Sequence, residues 1–83
     1  MAAYVYMLKS LKDKKFYTGC TADIKKRLKQ HNSGRVRSTK ARRPFELVYW
    51  ESFRTRSEAM KRERRLKSIG RDRKLKLVQA FGR

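Results

Sequence analysis

The sequence predicts an α/β domain of the α+β type: a small, mainly antiparallel three-stranded sheet with helices packed around it, in the order β-β-α-β-α-α. Three observations predict it. Residues 4–8 alternate, with Val5 and Met7 on one side and Tyr4, Tyr6 and Leu8 on the other, so both faces of a strand are usable. A polar turn and a second strand-like run follow at once, which suits antiparallel pairing. Two later stretches carry apolar residues at helical spacing with capping residues in front.

The elements follow in chain order. Lys12, Asp13 and Lys14 form the first turn, although they lack the Asn-Gly or Asp-Gly pair of a tight hairpin. Phe16 to Thr21 is the second strand, and Gly19 within it marks a bulge or a close approach by another backbone or a ligand. The pairing brings Tyr6 and Tyr17 near each other. A helix spans 23–32, capped by Thr21 or Asp23, with Ile24, Leu28 and His31 on one stripe and Arg27 at its edge. Asn32, Ser33 and Gly34 stop it. Residues 35–43, RVRSTKARR, form a basic loop with little periodicity, and Pro44 ends it.

Phe45 to Phe53 is a third, long strand rich in aromatic and β-branched residues. Strict alternation puts Leu47, Tyr49 and Glu51 on one face and Val48, Trp50 and Ser52 on the other. Both faces carry apolar groups, which predicts helices on both sides of the sheet. Thr55 and Glu58 fit a capping box for a helix reaching about Ser68. Its inward stripe is Ala59, Glu63 and Leu66. Gly70 ends it, and Asp72 caps a last helix through Ala80 with Leu75, Val78 and Phe81 as its apolar side.

Eighty-three residues make one domain, 1–83, with a thin core. The single cysteine, Cys20, supports neither a disulfide framework nor a cysteine-rich zinc site. A reducing cytoplasm is the expected compartment, and no apolar run is long enough for a signal peptide or a membrane span. Twenty-five Lys and Arg against seven Asp and Glu give a formal charge of +18. Such self-repulsion calls for a polyanion. Nucleic acid is the first partner, DNA before RNA, and RNA is not ruled out by charge. A membrane is not expected, because no helix joins a broad aromatic face to a basic one. The expected state is a monomer or a weak dimer.

Glu63 is a carboxylate within an otherwise apolar stripe. It either forms an internal ion pair, with Arg27 or a lysine, or anchors one Mg²⁺ or Mn²⁺ that keeps waters and takes a substrate phosphate. Glu58 is the rival, but its capping role already accounts for it. Tyr6 and Tyr17 are either packing residues or a pair in which one phenol, its pKa lowered by neighbouring cations, takes a proton from water. Arg27 is either solvated or a donor to phosphate oxygens. His31 reads as a half-buried packing residue that can also relay a proton or meet phosphate. Arg35, Arg37, Lys40, Arg42 and Arg43 suit phosphate tracking, setting affinity and not sequence preference. Paired carboxylates, a Ser-His-Asp set, a Gly-rich nucleotide loop and zinc-ligand spacing are all lacking.

Tyr4-Val5-Tyr6 and Tyr17-Thr18-Gly19, followed by Arg27, resemble the two half-motifs and the arginine of the GIY-YIG nuclease domain. The similarity extends through Gln30 to Gly34, Arg43 to Val48 and Glu58 to Lys67, nearly the whole chain. It is greatest to short stand-alone bacterial members and to the catalytic part of structure-specific endonucleases. Tyr4 stands in place of the first glycine, and Thr18 in place of the central isoleucine. The resemblance implies a metal-dependent endonuclease that hydrolyses DNA phosphodiester bonds, structure-specific and linked to repair or recombination. It implies that Tyr6 and Tyr17 are active-site positions, that Arg27 faces the phosphate, that His31 stands where related nucleases often have a histidine, and that Glu63 holds Mg²⁺ or Mn²⁺. The alternative is a non-catalytic nucleic-acid-binding module that keeps a phosphate pocket, and a ribosome-associated role is a third.

Overall fold

The computed structural model describes residues 2–82. The chain forms β1 (Ala3–Ser10), β2 (Phe16–Thr21), α1 (Ile24–Asn32), β3 (Phe45–Phe53), α2 (Arg56–Ser68) and α3 (Arg71–Phe81). The expected β-β-α-β-α-α order is what the structure shows. The sheet order is β2-β1-β3, with both pairings antiparallel. β1 is central because its residues from Val5 to Leu8 are all buried, and a strand with two apolar faces needs cover on both.

The hairpin between β1 and β2 closes without an Asn-Gly pair. Lys14 adopts a left-handed conformation at φ 64°, the role a glycine would fill more cheaply. The buried Ser10 hydroxyl compensates by accepting from the Lys12 and Asp13 amides while it donates to the Arg42 carbonyl at 2.6 Å.

Val5 and Met7 point to one side and join Ala3, Tyr49, Ala59 and Leu66 in a core under α2 and α3. Tyr6 and Leu8 point to the other and join Phe45, with Tyr17, Leu28 and Leu47 packed on them under α1. Helices therefore cover both faces. Thr18 is buried on the Met7 side, and its hydroxyl has no partner, so an apolar side chain would serve there as well.

Strict alternation fails in β3. Leu8 pairs with Leu47 but Met7 pairs with Tyr49, so Val48 is an extra residue in a bulge. The extra residue transfers Leu47 from the face of Tyr49 and Glu51 to the face of Tyr6 and Trp50. Leu47 accordingly packs on the Tyr6 cluster, while Val48 and Tyr49 belong to the opposite core.

The caps are mostly as expected. The Asp23 carboxylate accepts from the Lys26 amide, which settles the α1 cap, and Gly34 beyond its end sits at φ 82°. The Thr55 hydroxyl accepts from the Glu58 amide and donates to its carboxylate, so Glu58 belongs to the capping box. Asp72 is not the cap of α3. Gly70 holds that position without a side-chain bond, and Asp72 lies in the first turn, where its charge favours the helix dipole. Leu77 and Val78, not Leu75, join the core from α3, and Phe81 packs against the rings of Tyr49 and Trp50.

Candidate active site

The site is built on the α1 side of the sheet. Tyr6 stands opposite Gly19 in the pairing of β1 with β2. Its ring therefore lies across β2, with no side chain at 19 to stop it. Tyr17 sits two residues along on the same face, and the two ring centroids are 6.4 Å apart. The expected meeting of the tyrosines occurs, on a diagonal of the hairpin.

α1 brings His31 down onto these rings. His31 is not half-buried but fully buried, enclosed by Tyr6, Tyr17 and Phe45 with ring centroids at 6.0, 4.9 and 5.8 Å. Both of its nitrogens are engaged: Nε2 lies 3.1 Å from the Tyr6 hydroxyl, and Nδ1 lies 2.8 Å from Thr39 Oγ1. Burial, reinforced by the Arg27 charge, pushes its pKa down to about 4. The ring is neutral at pH 7.

One turn earlier, Arg27 donates from Nε to the Tyr6 oxygen at 3.4 Å and from Nη1 to Gln30 Oε1 at 3.0 Å. The bond to Tyr6 is the largest influence holding the guanidinium charged, and Tyr17 adds to it. The Tyr6 phenol shifts the other way from the sequence expectation. Burial raises its pKa, and the Arg27 hydrogen bond only partly offsets that. Tyr6 is 2 % exposed, and lost hydration outweighs one nearby cation.

Glu63 approaches from α2, on the opposite side of the sheet. Its charge acts on both the Tyr6 phenol and the Cys20 thiol, the two raised further by it after burial. The carboxylate thus acts on the Tyr6 site from the far side of the sheet, and among the described residues no hydrogen bond or ion pair joins it to Tyr6, Tyr17 or Arg27. Its ion-pair partner is Lys67, at 3.3 Å, and not Arg27. Among the described residues no group of three or more His, Cys, Asp and Glu side chains could hold a metal ion.

The basic loop is more structured than its sequence suggests. Residues Lys40–Arg42 form a short 3₁₀ turn. Arg42 pairs with Asp13 at 2.9 Å and lies over the Phe45 ring at 5.7 Å. Arg43 donates to the Lys40 carbonyl. The Asn32 side chain clamps the far end, bonding both the amide and the carbonyl of Phe45. Arg35, Arg37 and Lys40 are exposed, whereas Arg42 is committed to holding the loop. Sequence reasoning missed Thr39, a fully buried threonine inside a run of cations. No signal in the sequence singles it out, since Val36, Ser38 and Ala41 in the same loop are uncharged too.

A family model described as the GIY-YIG catalytic domain matches residues 2–76. A UPF0213 protein of Staphylococcus saprophyticus is 50% identical over 76 residues, covering 90% of this chain and 92% of that protein. Another, of Staphylococcus haemolyticus, is 46% identical over 77 residues, covering 92% and 93%. The solution NMR structure of the UPF0213 protein of Bacillus halodurans superposes with a TM-score of 0.61 at 41% identity, covering 96% of this chain and 85% of that one. These names state no activity.

Proposed function

This chain belongs to the GIY-YIG catalytic domain family, and on that premise we propose that it is a metal-dependent endonuclease hydrolysing DNA phosphodiester bonds, with branched or otherwise irregular DNA as substrate and repair or recombination as its setting. The observation that carries the reading is the Tyr6 oxygen, bonded at once to a cationic guanidinium and to a neutral imidazole. A buried phenol that only packs needs one partner for its hydroxyl; a second, cationic one is more than packing requires.

Because burial keeps the Tyr6 proton in place at neutral pH, Tyr6 acts as a base only by handing its own proton on. His31 stands at 3.1 Å to take it. Water attacks phosphorus and gives a proton to the Tyr6 oxygen, as the phenolic proton passes to Nε2. Arg27 spends one N–H on Tyr6 and one on Gln30, and its remaining N–H groups meet the non-bridging phosphate oxygens. Tyr17, half-buried, orients the water or the phosphate.

Glu63 is the residue that would hold Mg²⁺ or Mn²⁺. Its side chain is 21% exposed and its partner Lys67 is 57% exposed on a flexible stem, so the lysine can swing away. A lone carboxylate suits an ion that keeps its waters and binds substrate phosphate. When bound, such an ion draws charge from the phosphate and stabilises the leaving oxygen. Arg35, Arg37 and Lys40 supply the exposed cations for the nucleic-acid backbone.

The test is cleavage of branched, nicked and single-stranded DNA with and without Mg²⁺ or Mn²⁺, using Glu63→Gln as control. Cleavage that needs metal and Glu63 is expected. Salt-sensitive binding with no cleavage of any substrate would replace the enzyme by a non-catalytic nucleic-acid-binding module.

A further inference from the structure

We propose that Thr39 is a positioning residue that fixes His31 in the Nδ1–H tautomer, leaving Nε2 as the acceptor for the Tyr6 hydroxyl proton. The proposal rests on the endonuclease reading for its purpose, but not for its geometry.

The direction of each hydrogen bond follows from counting protons. Thr39 Oγ1 donates to the Val36 carbonyl at 3.3 Å. A hydroxyl has one proton, so with that proton on the Val36 carbonyl the same oxygen accepts from His31 Nδ1, at 2.8 Å. Nδ1 therefore carries the ring proton. The other end gives the same answer. Arg27 Nε donates to the Tyr6 oxygen, which leaves the phenolic proton seeking an acceptor. His31 Nε2, at 3.1 Å, is that acceptor. The opposite tautomer would make the Tyr6 oxygen accept twice and strand its own proton in a residue only 2% exposed. His31 is neutral, held low by burial and by Arg27, so the ring carries a single N–H and must choose.

The chain Tyr6 O–H to His31, His31 N–H to Thr39, Thr39 O–H to the Val36 carbonyl then runs one way only. Thr39 lies between Arg37 and Lys40, so the segment offered to phosphate is also the one that sets the imidazole.

His31 is the sole histidine, so its ring nitrogens can be read without ambiguity. Long-range ¹H–¹⁵N correlation spectra at pH 7 on wild type, Thr39→Ser and Thr39→Val test the proposal. Wild type and Thr39→Ser are expected to show a protonated Nδ1 and a bare Nε2. Thr39→Val, which keeps the shape but removes the acceptor, is expected to shift toward the Nε2–H form and to lose cleavage by at least tenfold, with Thr39→Ser restoring both. A wild-type ring protonated at Nε2 overturns the proposal even where Thr39→Val does not fold. So does a folded Thr39→Val that keeps the Nδ1–H form, or that loses it and still cleaves at the wild-type rate. The spectra require no cleavage. A wild type that cuts nothing therefore removes the endonuclease reading and leaves the tautomer assignment to be judged on the spectra.

Discussion

The Tyr6 hydroxyl lies against the backbone of Gly19: a methyl group built at position 19 would come within 2.5 Å of it. The glycine is needed for this approach and not for a left-handed backbone. Gly19→Ala must therefore push the phenol off His31 and Arg27. Overpacking of this kind costs about 1–3 kcal/mol, and cleavage should fall by more than tenfold. Removing the ring should relieve the clash; removing the hydroxyl alone should not, because the ring carbon Cζ would still lie 2.6 Å from the added methyl. In a thermal-melt double-mutant cycle, Gly19→Ala should cost less in a Tyr6→Leu background, which lacks the ring, than in wild type. Equal costs in the two backgrounds would contradict the contact.

Arg27→Ala should lower the cleavage rate on the order of 10²–10³-fold, as loss of one pre-organised donor to a developing oxyanion does. Its melting temperature should change little, because the side chain is only half-buried and lies at the edge of α1. A loss of rate that merely follows the folded fraction would assign Arg27 to structure alone.

Glu63→Gln should abolish metal-dependent cleavage. The ion pair it breaks involves a largely exposed lysine, and such pairs are worth about 0–1 kcal/mol. The melting temperature in metal-free buffer should accordingly stay within a few degrees of wild type. A large drop with cleavage in proportion would restore the purely structural ion pair.

Acid should weaken the fold through His31. Burial, with help from Arg27, moves its pKa from 6.5 to about 4, so the unfolded chain takes up this proton before the folded chain does. Stability is full above about pH 6.5 and falls as pH drops toward about 4, by roughly 3 kcal/mol at most. Between pH 7 and 5.5, where carboxylates hardly titrate, the melting temperature of wild type should already decline. That of His31→Gln, lower at the outset, should stay flat. Parallel declines would assign the loss to other groups.

DNA binding should separate the loop cations into two kinds. Each phosphate neutralised contributes about −0.9 to the salt slope on duplex DNA. Replacing the exposed Arg37 and Lys40 by alanine should flatten that slope and leave the melting temperature unchanged. Arg42→Ala should do the opposite, because it removes the Asp13 pair and the cover over Phe45. Titrations at several salt concentrations, paired with melts, distinguish the two.

Much of this molecule is written in local pattern. Alternation marked β1, capping residues marked the starts of α1 and α2, and a hydrophobic stripe interrupted by a charge singled out Glu63. Those signals depend on near neighbours in the chain, so one sequence suffices to read them. The antiparallel hairpin followed by a helix also brought Tyr6, Tyr17 and Arg27 to one face before any coordinates. What escaped depends on groups far apart in sequence. The bulge at Val48 arises from how β3 registers against β1, and it alone moves Leu47 to the other face. The direction of the Tyr6 shift is set by how completely α1 covers the phenol, a matter of packing that composition does not carry. Thr39 is eight residues from His31 along the chain and becomes its partner only because the loop folds back over α1. The sequence by itself determined which side chains are candidates for the chemistry. Tertiary structure decided which of them lose their water, and with it where each proton rests.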